Sequence, residues 1–156
     1  MTKQRGLVML LLLAACAGGG STPATQPATS ASAAVRSFMQ AVADSNVDKM
    51  ASLWGTASGP SSKTRQPPDY QRRVAVMQAY LRNQSFRITS DVPGPDQNRR
   101  ALQVELKRDT CTWSVPFVAV KTSGAAWLVN QVDLAAAGNP ARPCDEGARR
   151  DSAPQG

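Results

Sequence analysis

A change in hydrophobic period near residue 84 constrains the fold of this chain more than any other feature. Before it, apolar residues recur at helical spacing; after it, they alternate. Val35, Phe38, Met39 and Val42 fall at i, i+3, i+4 and i+7, with Arg36, Ser37 and Gln40 turned away, which predicts a helix starting near Ser32. Asp44-Ser45-Asn46 breaks it and offers a cap. Val47, Met50, Ala51 and Trp54 then repeat the spacing until Gly55 stops it. Asp69 is placed to cap a third helix striped by Tyr70, Val74, Met77 and Leu81, with Tyr80 at the edge of the stripe. Beyond it the period is two. Phe86, Ile88 and Val92 alternate with Arg87, Thr89 and Asp91, and after a turn at Pro93-Gly94-Pro95-Asp96, Leu102, Val104 and Leu106 alternate with Gln103, Glu105 and Lys107. Arg108-Asp109-Thr110 makes a tight connection to a third strand. Cys111, Trp113, Val115, Phe117 and Ala119 share one of its faces, and Pro116 on the other argues for an edge or a bulge. In a fourth strand, Ala125 to Leu134, Trp127 and Val129 alternate but Val132 and Leu134 are out of phase, which predicts a bulge near Asn130. Helices followed by a meander give an α+β class, with N-terminal helices packed on an antiparallel sheet of about four strands.

The segments around this core divide cleanly. Residues 17 to 31 are small, polar and uncharged and read as a flexible tether; residues 55 to 68 are rich in glycine and proline and read as a long loop. The tail after Leu134 is small, then rich in proline and arginine, and is expected to fray. The expected divisions are a signal segment 1–15, a modified cysteine and tether 16–31, a globular domain 32–134 and a tail 135–156.

The first sixteen residues carry an address. Lys3 and Arg5 precede an apolar run from Leu7 to Leu13 and small residues ending at Cys16, the layout of a secretory signal. The run is far shorter than the roughly 20 residues a membrane-spanning helix needs. Leu13-Ala14-Ala15-Cys16 resembles the lipobox of bacterial lipoprotein precursors; an ordinary cleaved signal with a coincidental cysteine is the alternative. The resemblance implies a diacylglycerol on the Cys16 sulfur, cleavage before Cys16 and acylation of the new amine. Two or more chains hold a protein stably at a bilayer, where one holds it marginally. With Ala17 rather than aspartate after the cysteine, the resemblance further implies the bacterial cell envelope, at the periplasmic face of the outer membrane.

Composition narrows the chemistry. The precursor has 18 Lys plus Arg against 11 Asp plus Glu, a net +7, which falls to +5 once Lys3 and Arg5 leave with the signal. An exported basic protein meets anionic lipid headgroups or anionic cell-wall polymers rather than nucleic acid, and solubility alone also accounts for the charge. There is no histidine, which excludes histidine triads, histidine bases and the commonest metal ligand. Neither a metal nor another cofactor is implied. Of three cysteines, the lipoprotein resemblance implies that Cys16 is consumed by lipid, which leaves Cys111 and Cys144 either as a pair or as two free thiols. Closing that loop of about 34 residues is worth about 3–4 kcal/mol in the chain-entropy treatment.

The helix-then-strand order, with Ala-Asp-Ser-Asn-Val-Asp-Lys-Met-Ala-Ser-Leu-Trp at 43 to 54 and Gly-Ala-Ala-Trp-Leu-Val at 124 to 129, resembles the nuclear transport factor 2-like superfamily over residues 33 to 134. The resemblance implies a curved sheet wrapped around helices as a cone with an apolar pocket. Members usually insert a short strand between the second and third helices, where this chain has its breaker-rich loop. Members include isomerases, dehydratases and exported lipoproteins, so the fold does not choose a function. An isomerase-like site needs a carboxylate base and a hydroxyl donor in an apolar cavity, for which Asp44 or Asp133 and Tyr70 or Tyr80 are the candidates.

No catalytic constellation emerges from these residues, and a non-enzymatic binding or interaction module is expected. A small hydrophobic-ligand carrier or an isomerase- or dehydratase-like enzyme is the alternative. Expected partners are the membrane through the lipid, and an envelope protein, an anionic polymer or a small hydrophobic ligand. Trp54, Tyr80, Trp113, Phe117 and Trp127 are the candidate pocket-lining residues, although large aromatics at regular spacing also build cores. The basic pairs Arg72-Arg73, Arg99-Arg100, Lys107-Arg108 and Arg149-Arg150 read as solvated faces unless several converge.

Overall fold

The computed structural model describes residues 27–142 and residue 144. The signal segment, Cys16, most of the tether, Arg149-Arg150 and the end of the tail lie outside them.

Helix α1 spans Ala31–Ala43, where the Ser30 hydroxyl accepts the Ala33 N–H and satisfies one orphan donor of the first turn. Val35, Phe38, Met39 and Val42 are buried, as their spacing requires. Asn46 caps α2, Val47–Leu53, by accepting the Lys49 N–H at 2.9 Å. Trp54 falls just past the last helical residue, so it leaves the helix in extended backbone. The segment read as loop is structured instead. Strands β1, Gly55–Thr56, and β2, Gly59–Pro60, form a small hairpin, and α3, Ser61–Thr64, follows as a single turn. Helix α4, Tyr70–Leu81, buries Tyr70, Val74, Met77 and Leu81. Asp69 stands at its N-cap but makes no capping hydrogen bond, because its carboxylate is drawn to Arg73 one turn on.

Strands β3, Ser85–Pro93, β4, Arg99–Arg108, β5, Cys111–Lys121, and β6, Trp127–Val132, form an antiparallel meander in the order β3-β4-β5-β6. The alternation of β4 and β5 puts Leu102, Val104, Leu106, Val115, Phe117 and Ala119 on one face, and each is at most 1% exposed. That face receives the helices. The Phe38 and Phe117 rings meet edge to face at 6.5 Å between centroids, joining α1 to β5.

Two bulges reset which side chains point inward. On β3 the register slips between Ile88 and Ser90, leaving Thr89 as the extra residue. Asp91, expected outside, therefore turns inward to pair with Arg100 at 2.6 Å and to accept the Ser32 hydroxyl. Val92, expected inside, is 49% exposed. On β6 the register passes from Val129 to Gln131, so the extra residue is Asn130, where the phase change in the sequence put it. Pro116 lies in a central strand, yet its carbonyl accepts the Asp133 N–H just beyond the end of β6. In an antiparallel pair the N and C=O of a residue point the same way, so the missing proline N–H faces the place where pairing ends.

The first part of the tail does not fray. After β6 a 3-10 turn, Ala135–Ala137, packs on β5 with Ala137 fully buried. Gly138 lies against the Trp113 ring, and Cys144 forms a disulfide with Cys111, Cα atoms 5.6 Å apart. Among the described residues, no helix is long and apolar enough to cross a membrane.

Candidate functional site

The bulge at Asn130 builds one wall of a surface groove. By stepping out of register, Asn130 presents its backbone carbonyl to the Trp54 indole Nε1–H at 2.9 Å. Its side-chain amide donates to the Gly55 carbonyl at 2.8 Å. Trp54 is also bridged through its backbone to Val129. Trp54 is thus held through its backbone and its Nε1–H, and the half-buried side chain lines the groove. Val132 and Leu134, displaced by the same bulge, continue this wall, and α4 supplies the other with Arg72, Arg73, Val76 and Met77. The space between is about 530 Å³, within the usual range for small-molecule clefts.

Its lining is amphipathic. Val76 is 41% exposed and is, with Val92, one of two exposed large hydrophobics among the described residues. Trp54, Val132 and Leu134 are half-buried. At the rim the Arg73 guanidinium, 2.9 Å from the Asp69 carboxylate, holds that carboxyl below its usual range, with a weaker pull from Arg72. Asp69 is consequently ionised at neutral pH and poorly suited to take a proton. With Arg73 matched to Asp69, Arg72 leaves the rim with one net positive charge.

The five candidate pocket residues do not share one cavity. Trp54 lines the α4–β6 groove, whereas Trp127 lines a separate cleft of about 490 Å³ beside Ala28, whose carbonyl accepts the Trp127 N–H. Phe117 is 1% exposed in the core. Trp113 lies beneath the tail, and Tyr80 is half-buried on α4.

Of the candidate acid and base groups, Asp44, Asp133 and Tyr70 have structural partners. Asp44 accepts the Gln40 side-chain amide at the end of α1, and Asp133 accepts the Ala135 and Ala136 N–H groups at the 3-10 turn. The Tyr70 hydroxyl, on a buried side chain, accepts from Arg65 at 3.4 Å. None of these contacts joins a candidate base to a candidate donor. Among the described residues, no three His, Cys, Asp or Glu side chains cluster as metal ligands would.

Three of the six described members of the basic pairs are matched singly to an acid rather than pooled. Arg73 meets Asp69, Arg99 meets Asp96 at 2.9 Å, and Arg100 meets Asp91. Arg108 is the exception to the solvated-face expectation, since it is 7% exposed. Sequence reasoning missed Val76, an apolar residue off the buried stripe of its helix. That misplacement was the signal. No protein-family profile, curated protein or solved structure matches this chain.

Proposed function

We propose that this chain is a lipid-anchored lipoprotein of the bacterial envelope whose domain is a binding module, with the α4–β6 groove as its ligand surface. The groove's exposed apolar lining carries this reading. Val76, 41% exposed, stands beside the half-buried Trp54, Val132 and Leu134, so the groove offers a ligand a mostly apolar wall with charged groups at its rim. The lipobox-like Leu13-Ala14-Ala15-Cys16 supports the anchor and the placement at the periplasmic face of the outer membrane. The residues that follow it, small and uncharged, suit a tether that lets the domain stand off the bilayer.

The nuclear transport factor 2-like cone is supported by the order of elements. Strands β1 and β2 lie between α2 and α4, where that superfamily has a short strand and where the sequence alone read as a departure from it. Partners on this reading are the membrane and either an envelope protein or a small hydrophobic ligand. The carrier form of the reading is favoured by the size of the groove, and an isomerase-like activity by nothing in its lining.

Titration of the purified protein with anilinonaphthalene sulfonate, an anionic apolar dye, tests the groove. One saturable site is expected, and Val76→Glu should weaken it at least about tenfold, the cost of setting a carboxylate against an apolar anion. Val76 is exposed, so the fold should be retained. Equal binding by both proteins would move the ligand surface elsewhere.

A further inference from the structure

We propose that the notch at the β4–β5 hairpin binds a small oxyanion, a phosphate or carboxylate group, on the Arg108 guanidinium. The inference is independent of the α4–β6 groove.

Strand phase puts Arg108 where it is. Leu102, Val104 and Leu106 occupy alternate positions on the core face of β4, and the next position in that series is Arg108. A cation therefore stands where a hydrophobe belongs. Its Nη2 donates to the Ala137 carbonyl, and its Cζ lies 5.8 Å from the centroid of the Trp113 ring. Nε and Nη1 are buried with no acceptor, and so is the Trp113 indole N–H. Asp109 is the acidic neighbour that acts on it, yet among the described residues no carboxylate lies within ion-pair distance of Arg108. Loss of water around the guanidinium is the main influence on it and favours its neutral form.

An uncompensated buried cation is among the costliest features a fold can keep, and buried donors in native proteins find acceptors. The missing partner here has to be acceptor-only and negative. In a guanidinium Nε–H runs parallel to one N–H of Nη2 and an Nη1 N–H to the other, so the Nη2 hydrogen not given to Ala137 completes a fork with one orphan nitrogen, and that fork matches the paired oxygens of a carboxylate or phosphate. A notch of about 370 Å³ leads to this group, walled by Ser45, Arg82, Asn83, Gln84, Asp109 and Pro140. Arg82, exposed at the notch, adds a second positive charge, which outweighs the single carboxylate of Asp109. The orphan nitrogens are closed to bulk water, so an oxyanion reaches them only with a local movement of the notch wall.

The test is thermal unfolding of the full chain in sodium phosphate, sodium acetate and sodium chloride at matched ionic strength. Phosphate or acetate at about ten times its dissociation constant should raise the melting temperature by about 5 °C over chloride. A response to phosphate alone assigns a phosphate ligand, and a response to acetate alone a carboxylate. Arg108→Met should abolish the response while melting no lower than wild type in chloride, because it removes a buried unpaired charge. Arg82→Ser should keep the fold and weaken the response about threefold or more, which serves if Arg108→Met does not fold. The double variant Asp145→Asn with Glu146→Gln removes the two acids that follow Cys144 in the sequence and should leave the response unchanged. No response to either anion at 100 mM (about 100-fold above a millimolar constant), an equal response in Arg108→Met, or a tenfold gain in the double variant would each overturn an external oxyanion site.

Discussion

Gly138→Ala is expected to destabilise the protein by about 2–4 kcal/mol, a fall of about 8–16 °C in melting temperature. Two costs act together. Gly138 has φ 70° and ψ −177°, a region that side-chain-bearing residues essentially avoid. A Cβ there would also stand 2.8–2.9 Å from three carbons of the Trp113 six-membered ring. Neither neighbour can easily move, since the ring is held between the tail and Arg108 and the glycine between Ala137 and the disulfide. If the tail lifts instead, the loss is capped at its own docking energy. Trp113 emission would then shift to longer wavelength as water reaches the indole. Unchanged melting and unchanged emission would show that the tail does not pack there.

Replacing both Cys111 and Cys144 with alanine is expected to cost about 3–4 kcal/mol in the chain-entropy treatment, since the bridge closes a separation of 33 residues. Thermal unfolding with and without a dithiol reductant gives the same comparison on the unaltered chain. Because the bridge and Gly138 secure one tail, the alanine pair and Gly138→Ala together should cost less than their sum. Full additivity, or a reductant that leaves the melting temperature where it was, would count against the strap.

The helices and the sheet were legible because one periodicity governs each. Phe38 and Met39 are buried for the reason their spacing states, and Asn130 is the bulge because Val132 and Leu134 broke phase. What escaped involves residues whose meaning is tertiary. The β1–β2 hairpin has no alternation to read. Its mark is the pair Gly55 and Gly59, since a Cβ on Gly55 would run into the Gly59 carbonyl. Ala135-Ala136-Ala137-Gly138 read as a fraying tail because small residues offer little to bury. Ala137 is small because it is fully buried, and Gly138 because the Trp113 ring leaves no room for a Cβ. The Thr89 bulge had no signal, since Phe86, Ile88 and Val92 kept a consistent phase across it. The groove was half legible: Trp54 stood out, whereas Val76 becomes a wall only when α4 is set beside β6.

On the proposed function, lipid on Cys16 holds a ligand-binding domain at the envelope membrane. Intact-mass and peptide analysis of the mature protein from a bacterial host tests it most directly. The expected N-terminal peptide begins at Cys16 and carries a diacylglyceryl group with an amide-linked acyl chain. Cys16→Ala should release the protein from the membrane fraction. A mature chain with an unmodified Cys16 thiol, or a Cys16→Ala protein that stays with the membranes as wild type does, would contradict it.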